Sequence, residues 1–318
     1  MAMSFQYFVI GKGSIGHRHA NNLNSLGARV THYGWRTLNI DQLLCEIMAC
    51  QGEAGVIIAT STKVRRHLIK KCSEVGAALY IEKPIAHRTF DVQQIYDLPK
   101  TTLERSVAGF MMRYHPMVRE LLDIPVKNIF RASFEIGHDV TQWRENWTFA
   151  DSYAADPDGG GVLLDLCHEI DLAYLLCGSA PLSSVSSIEH PDFAGVDIAT
   201  TLDFASTDGR NIRVAMDYLA PALIRRGHII GLEQEIEYDV ANANFTHVTA
   251  DKRVTQNLGQ ERNTMFLDFM SDFMALAEGR ETKNPHIPRL DRVKDVCHVI
   301  AQAWEMRDFK GQLKASLT

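Results

Sequence analysis

The chain is poor in cysteine and shows no pairing pattern. Cys45, Cys50, Cys72, Cys167, Cys177 and Cys297 are scattered without any C-x-x-C spacing. This excludes a disulfide framework and a cysteine zinc site, and it fits packed thiols in a reducing compartment. Runs of basic residues are also missing: 33 Lys+Arg stand against 39 Asp+Glu, so the electrostatic footprint of a nucleic-acid binder is absent. Met1 to Gln6 lack the basic-then-apolar order of a signal peptide. The most apolar long stretch, Val162 to Leu176, is interrupted by Asp165, His168, Glu169 and Asp171, which excludes an ordinary membrane span. His67, His190, His247 and His298 have no metal-ligand spacing, so no metal is expected. There is no internal repeat or low-complexity segment. A soluble cytoplasmic protein with neither membrane nor nucleic-acid partner is expected.

What the chain does have is length and a rhythm. Its 318 residues with 46% apolar content exceed one compact core and predict two domains. Tyr7 to Ile10, Arg29 to Tyr33, Gly55 to Ala59, Ala78 to Glu82 and Ser106 to Phe110 read as strands. Leu38 to Cys50, Val64 to Val75 and Phe90 to Leu98 read as crossover helices. This βαβ order predicts a doubly wound parallel sheet over residues 1–120. From residue 121 to 318 the pattern changes to an α+β domain with a large, mostly antiparallel open sheet. Strands are expected at Asn128 to Gly137, Val185 to His190, Ile198 to Phe204, Asn211 to Tyr218, His228 to Gly231 and Glu235 to Asp239. Asp208-Gly209 marks a hairpin between two of them. One helix is expected from Gly161 to Cys177, and two more from Thr264 to Glu278 and Leu290 to Asp308.

The strongest motif is Gly11-Lys12-Gly13-Ser14-Ile15-Gly16, placed directly after the first strand and opening a helix. In a G-x-G-x-x-G turn the first glycine permits the tight turn, the second admits a pyrophosphate against the backbone, and the third lets helix and strand press together. Phosphates then meet free N–H groups at the helix start. A dinucleotide-binding Rossmann domain follows. Thr60, at the end of the third strand, and Glu82 and Lys83, at the end of the fourth, lie on the carboxyl edge where such sheets bind ligands. An NAD site offers Asp or Glu at the end of the second strand, but Thr31 to Thr37 contain no acid. Arg36 suits a 2′-phosphate, and Trp35 or Arg36 suits stacking on adenine. NADP is the preferred cofactor, with NAD the alternative.

A second signal is Gly159-Gly160-Gly161 followed by Asp165 and His168. On one continuous helix Gly161, Asp165, His168 and Leu172 share a stripe, and polar groups on an apolar helix are costly unless paired or used. Trp143, Arg144, Trp147 and Tyr153 precede it. Their aromatic faces suit sugar rings, the arginine suits a carboxylate or phosphate, and plain packing is the alternative.

Four segments taken in order, Gly11 to Gly16 with His17-Arg18-His19-Ala20, Glu82-Lys83-Pro84, Arg113-Tyr114-His115-Pro116 and the glycine-rich Asp/His helix, resemble the Gfo/Idh/MocA oxidoreductases. The resemblance implies a nicotinamide-dependent enzyme acting on a secondary alcohol or ketone of a sugar, cyclitol or sugar derivative. It implies that Lys83 hydrogen-bonds the reacting oxygen, that His168 is the general acid/base, that Asp165 assists, and that Arg113 joins the substrate site. The family commonly sets four steps between aspartate and histidine, whereas here there are three; Asp-Leu-Cys-His-Glu-Ile-Asp is similar to a variant with serine in place of Cys167. Relatives often self-associate through the open sheet, which implies a homodimer or homotetramer. Two alternatives stay open: a glycoside hydrolase that uses NAD without net redox change, and a non-catalytic NADP(H)-binding regulator.

Overall fold

Apolar runs too short for helices become fully covered strands. The protein is described by a computed structural model over residues 5–124, 126–142 and 148–317. Its first stretch runs β1 (Gln6–Ile10), α1 (Ser14–Ser25), β2 (Arg29–Tyr33), α2 (Ile40–Ala49), β3 (Ala54–Ile58), α3 (Thr62–Glu74), β4 (Ala78–Ile81), α4 (Thr89–Tyr96), α5 (Lys100–Glu104) and β5 (Val107–Ala108). The strands pair in parallel in the order β2-β1-β3-β4-β5. β3 and β4 are buried at every position, as strands covered on both faces must be. The chain leaves β1 toward β2 on one side and returns to β3 on the other, so the strand order reverses between β1 and β3. That switch point is where open α/β sheets bind ligands.

The strand expected over Ser106 to Phe110 is reduced to two residues. Beyond it the backbone turns, with Phe110 N–H donating to the Ala108 carbonyl at 2.7 Å. β5 finds its outer partner far along the chain: Ala108 N–H donates to Pro288 O at 2.9 Å and Leu290 N–H to Ser106 O at 2.9 Å.

The next stretch opens with α6 (Pro116–Asp123) and β6 (Ile129–Gly137), then α7 (Val162–Asp165), α8 (His168–Cys177), β7 (Leu182–His190), β8 (Phe193–Ala205), β9 (Asn211–Asp217), β10 (Ile224–Gly231), β11 (Gln234–Asp239), β12 (Asn244–Thr249) and β13 (Arg253–Asn257). With the closing strand it forms a nine-stranded sheet, antiparallel except where β6 meets β9 and where that last strand meets β7. Alternation drives it. In β9, Ile212, Val214 and Met216 point inward while Arg213 points out and pairs with Asp203 at 2.7 Å. The inward face is covered by α8, whose Ile170, Leu172 and Ala173 are buried. Gly209 takes φ 94° in the β8–β9 hairpin, as the Asp-Gly signal requires.

The chain closes with α9 (Arg262–Ala277), α10 (Lys294–Glu305) and β14 (Asp308–Gln312). The helix expected from Leu290 to Asp308 thus starts later, after a single 3-10 turn at Leu290–Arg292, and gives way to a strand at Asp308. Contacts divide the chain into two compact units, Met1–Tyr114 with Glu261–His298, and His115–Gln260 with Val299–Thr318. A single boundary near residue 120 misses this return. Its cause is aromatic packing within the first unit: Phe269 of α9 stacks on Tyr114 at 4.9 Å and lies 4.9 Å from Tyr80 of β4, and Tyr114 Oη donates to the buried Asp272 of α9 at 2.9 Å. No helix among the described residues is long and apolar enough to cross a membrane.

Candidate functional site

The glycine turn sits at the switch point, and its three glycines are constrained differently. Gly11 has φ 127°, and a Cβ there would lie 2.2 Å from the Ala59 carbonyl oxygen at the end of β3. A Cβ on Gly16 would lie 1.8 Å from Gly11 O, so α1 rests directly on the turn. A Cβ built on Gly13 would point into open space, meeting nothing within 4 Å beyond its chain neighbours and its own helix; this open position at the start of α1 is a cradle that a side chain would fill. The set fits a dinucleotide pyrophosphate. Gly16→Ala is expected to destabilise the protein by at least about 3 kcal/mol, because two backbone segments must separate. Gly13→Ala is expected to leave the melting temperature unchanged while weakening dinucleotide binding. Thermal denaturation combined with dinucleotide titration of both variants checks this pair.

Around the turn, Lys12 and Ser14 are exposed and Ile15 is half-buried. Thr60 is buried, and its carbonyl takes two bonds from Arg65 of α3, at 3.0 and 2.6 Å. The same guanidinium donates to Glu82 O at 2.7 Å and to Pro84 O. Arg65 therefore ties the end of β3 to the turn after β4, which carries Lys83. The Lys83–Pro84 peptide is cis. Glu82, expected at the cofactor, is instead turned inward: its carboxylate meets His19 Nε2 of α1 at 2.7 Å, both side chains nearly inaccessible. Burial acts to raise its pKa, but the hydrogen bond and charge of His19, with the charges of Arg65 and Lys83, hold it below the usual carboxylate range. Glu82 is a strut beneath Lys83. Sequence reading missed Arg65 and His19; a buried, fully hydrogen-bonded cation leaves no periodic signature.

In the second unit the helix expected from Gly161 to Cys177 is broken. The i to i−4 ladder ends with Leu166 N–H on Val162 O and restarts from Cys167 O, because Leu166 and Cys167 have ψ of 22° and 0°. Asp165 therefore ends α7 and His168 begins α8; they do not share one continuous helical stripe, though both are buried. Asp165 accepts hydrogen bonds on both oxygens, from Tyr153 Oη at 2.6 Å and Tyr218 Oη at 3.0 Å. Tyr153, named from sequence, is 48% exposed, whereas Tyr218, which sequence reading passed over, is 1% exposed. Burial first, then the Asp165 charge, pushes the Tyr218 phenol well above its ordinary pKa, so it stays a donor.

Next to His168, Glu169 is held by Arg225 in a two-point ion pair at 2.7 and 3.2 Å. Arg113, expected at the substrate, is buried in the first unit and donates to the His286 carbonyl at 3.2 Å. Trp35 is half-buried and Arg36 exposed on the corner after β2. Trp143, Arg144 and Trp147 lie outside the described residues.

His115 is a buried histidine of the second unit whose Nδ1 accepts the Met117 N–H at 3.2 Å, capping α6. Burial, then the Arg225 charge, lowers its pKa from 6.5 to about 4. The unfolded chain takes up a proton near 6.5 that the folded one refuses until about 4. Stability is therefore held above pH 6.5 and falls between 6.5 and about 4, by about 3 kcal/mol from this group alone. His115→Asn keeps a capping acceptor without a titrating ring, and is expected to flatten that part of the stability-against-pH curve measured by denaturant unfolding.

No protein-family model matches the chain. Scyllo-inositol 2-dehydrogenase (NAD(+)) of Bacillus subtilis (strain 168) is 28% identical over 199 residues, 56% of this chain and 55% of that protein; the chain thus aligns with about half the length of the curated relative it matches. Among solved structures, UDP-N-acetylglucosamine 3-dehydrogenase GnnA from Acidithiobacillus ferrooxidans superposes with a TM-score of 0.74 at 17% identity, covering 96% of this chain and 98% of that one. Levoglucosan dehydrogenase in complex with NADH gives 0.73 at 16% identity, over 95% and 96%. An oxidoreductase from Agrobacterium radiobacter in complex with NAD+, L-tartaric acid and magnesium gives 0.72 at 13%, over 95% and 96%. The chain shares the fold of these solved structures over nearly its whole length.

Proposed function

We propose that the protein is a nicotinamide-dependent oxidoreductase that moves a hydride between the cofactor and a secondary alcohol or ketone of a sugar, cyclitol or sugar derivative. The observation that carries this reading is the glycine turn at the β1/β3 switch point, closed at Gly11 and Gly16 and open at Gly13. Gly11 to Gly16 would hold the pyrophosphate, with Thr60 beside it. When bound, the nicotinamide supplies a hydride acceptor or donor at carbon.

The rest is done by the chain's own residues. A neutral alcohol is a poor hydride donor, so its proton must leave; His168 takes it. The Lys83 ammonium steadies the alkoxide as a fixed positive charge. Tyr218 anchors one oxygen of Asp165 from the core, and a substrate hydroxyl replaces the exposed Tyr153 on the other. The absence of an acid at the end of β2 and the exposed Arg36 support NADP as the preferred dinucleotide, although the curated relative carries NAD(+) in its name. All six cysteines stand as thiols, which supports a cytoplasmic setting. Assembly into a homodimer or homotetramer completes the reading.

The test is a panel of sugar alcohols and keto-sugars assayed with both dinucleotides by nicotinamide absorbance. Steady cofactor-dependent turnover on one of them is the expected result. Tightly retained cofactor with no steady absorbance change, alongside glycoside cleavage, would replace this reading with the hydrolase.

A further inference from the structure

We infer that His228, Glu235 and Glu237 form a site for a divalent transition-metal ion, of the class that zinc typifies, on the outward face of the nine-stranded sheet. The inference is independent of the dinucleotide reading. The linear spacing of His67, His190, His247 and His298 predicts no metal, and no such spacing marks this site, because its ligands meet across two strands. Side chains two apart on a strand share a face. Glu235 and Glu237 of β11 therefore stand side by side, while Ile236 between them is buried on the other face. His228 of β10 is the direct cross-strand partner of Glu237. One ligand atom from each of the three residues lies within 4.8 Å of the other two.

Two neighbouring carboxylates are common on protein surfaces, and the histidine makes the difference. His228 Nε2 lies 3.3 Å from Glu235 Oε1, matching the separation of about 3.4 Å that two ligands take around a tetrahedral zinc at their usual bond lengths. That nitrogen is sealed from solvent and, among the described residues, makes no hydrogen bond, although a buried polar atom is normally satisfied. An imidazole lone pair on an ion meets that need, and the two carboxylates balance the ion's charge. A nitrogen ligand beside two oxygens favours zinc and its neighbours over calcium or magnesium. The cations of this face are drawn elsewhere: Arg226 pairs with Glu135 at 2.8 Å, and Arg253 reaches Glu237 Oε2 at 3.4 Å, which leaves Glu237 its other oxygen. Ser133 of β6 and Thr246 of β12 flank His228 and Glu237 in register. The groove they line, about 520 Å³, has room for waters to complete the coordination. An ion here joins β10, whose Arg225 holds Glu169, to β11.

Calorimetric titration of Zn²⁺ into the intact, chelator-treated protein tests the site, with Co²⁺ as a spectroscopic probe of the ligands. A single ion per chain is expected, with a Co²⁺ spectrum of nitrogen and oxygen ligation and no thiolate charge-transfer band. His228→Gln and Glu237→Gln are each expected to weaken Zn²⁺ about tenfold or more. His247→Gln, on β12 with its Nε2 bonded to Gln234 at 2.9 Å, is expected to leave Zn²⁺ affinity unchanged. Zinc is expected to raise the melting temperature of the wild type and not that of His228→Gln. Melting in chelator shows that each variant is folded, and Glu235→Gln replaces any that is not. Unchanged affinity in either ligand variant overturns the site. So does a thiolate band, which would put the ion on a cysteine such as the exposed Cys45. Absence of zinc binding would leave His228 and Glu235 as a plain ion pair and overturn it too.

Discussion

Lys83→Ala and His168→Ala are each expected to lower turnover by roughly 10²-fold or more while leaving dinucleotide affinity nearly unchanged. The expectation for Lys83 rests on how its turn is built. The backbone on either side is fixed by the Arg65 bonds to Glu82 O and Pro84 O, and the Glu82 side chain is locked onto His19. Gly109 packs against this turn so closely that a Cβ there would lie 3.1 Å from Lys83 N. Removing the ammonium therefore leaves the turn and the glycine cradle standing, and what is lost is the charge that steadies an alkoxide. For His168 the lost function is proton transfer, which typically supplies a factor of about 10² to 10⁴. Steady-state kinetics on the best sugar from the panel, with dinucleotide titration as the control, reads both effects. Wild-type turnover in either variant removes that residue from the chemistry.

Arg65 provides a contrast within the same turn. Arg65→Met is expected to disturb Lys83 indirectly, so its signature differs: four carbonyl bonds disappear from a buried position, and stability falls together with turnover.

How much of this was legible in the sequence depends on whether the signal is local. The glycine turn, the parallel rhythm of the first unit and the Asp208-Gly209 hairpin are set by neighbouring residues, and each is present where expected. β12, β13 and β14 were not foreseen. β13 and β14 are edge strands with only one residue each that is not exposed, so no apolar alternation marks them. The interruption at Leu166 and Cys167 was invisible because Val162 to Leu164 before it, and Ile170 and Leu172 after it, are apolar. Tyr218 became part of the candidate site only because β9 delivers it to Asp165 across the fold, and the Glu82 carboxylate turns inward because α1 brings it a buried histidine. The return of α9 to the first unit is likewise a matter of aromatic partners that only tertiary packing chooses.

The second large effect is expected at Arg307→Ala, far in sequence from Asp165 and His168 but tied to the segment that carries them. Asp197 of β8 is completely buried; its Oδ2 caps α7 by accepting the Leu163 N–H at 2.8 Å and also takes the Thr200 hydroxyl at 3.0 Å. Its Oδ1 is met by Arg307, whose guanidinium lies 4.2 Å above the Trp304 ring. Trp304 in turn donates its indole N–H to Gly160 O at 3.3 Å. Gly161 has φ 95°, and a Cβ there would lie 2.1 Å from Asp197 Oδ1. Gly161 is thus needed for close packing on a buried carboxylate, beyond any approach of a ligand. Without Arg307, Asp197 is left as an uncompensated buried charge, and a loss of about 3–5 kcal/mol is expected. Adding Asp197→Asn removes that charge while keeping an acceptor for Leu163 N–H, so the double variant is expected to be more stable than Arg307→Ala alone, a non-additivity of about 1–3 kcal/mol. Denaturant unfolding of the four proteins of this cycle measures it. Simple additivity, or a cost for Arg307→Ala below about 1 kcal/mol, would show that the pair does not hold the start of α7.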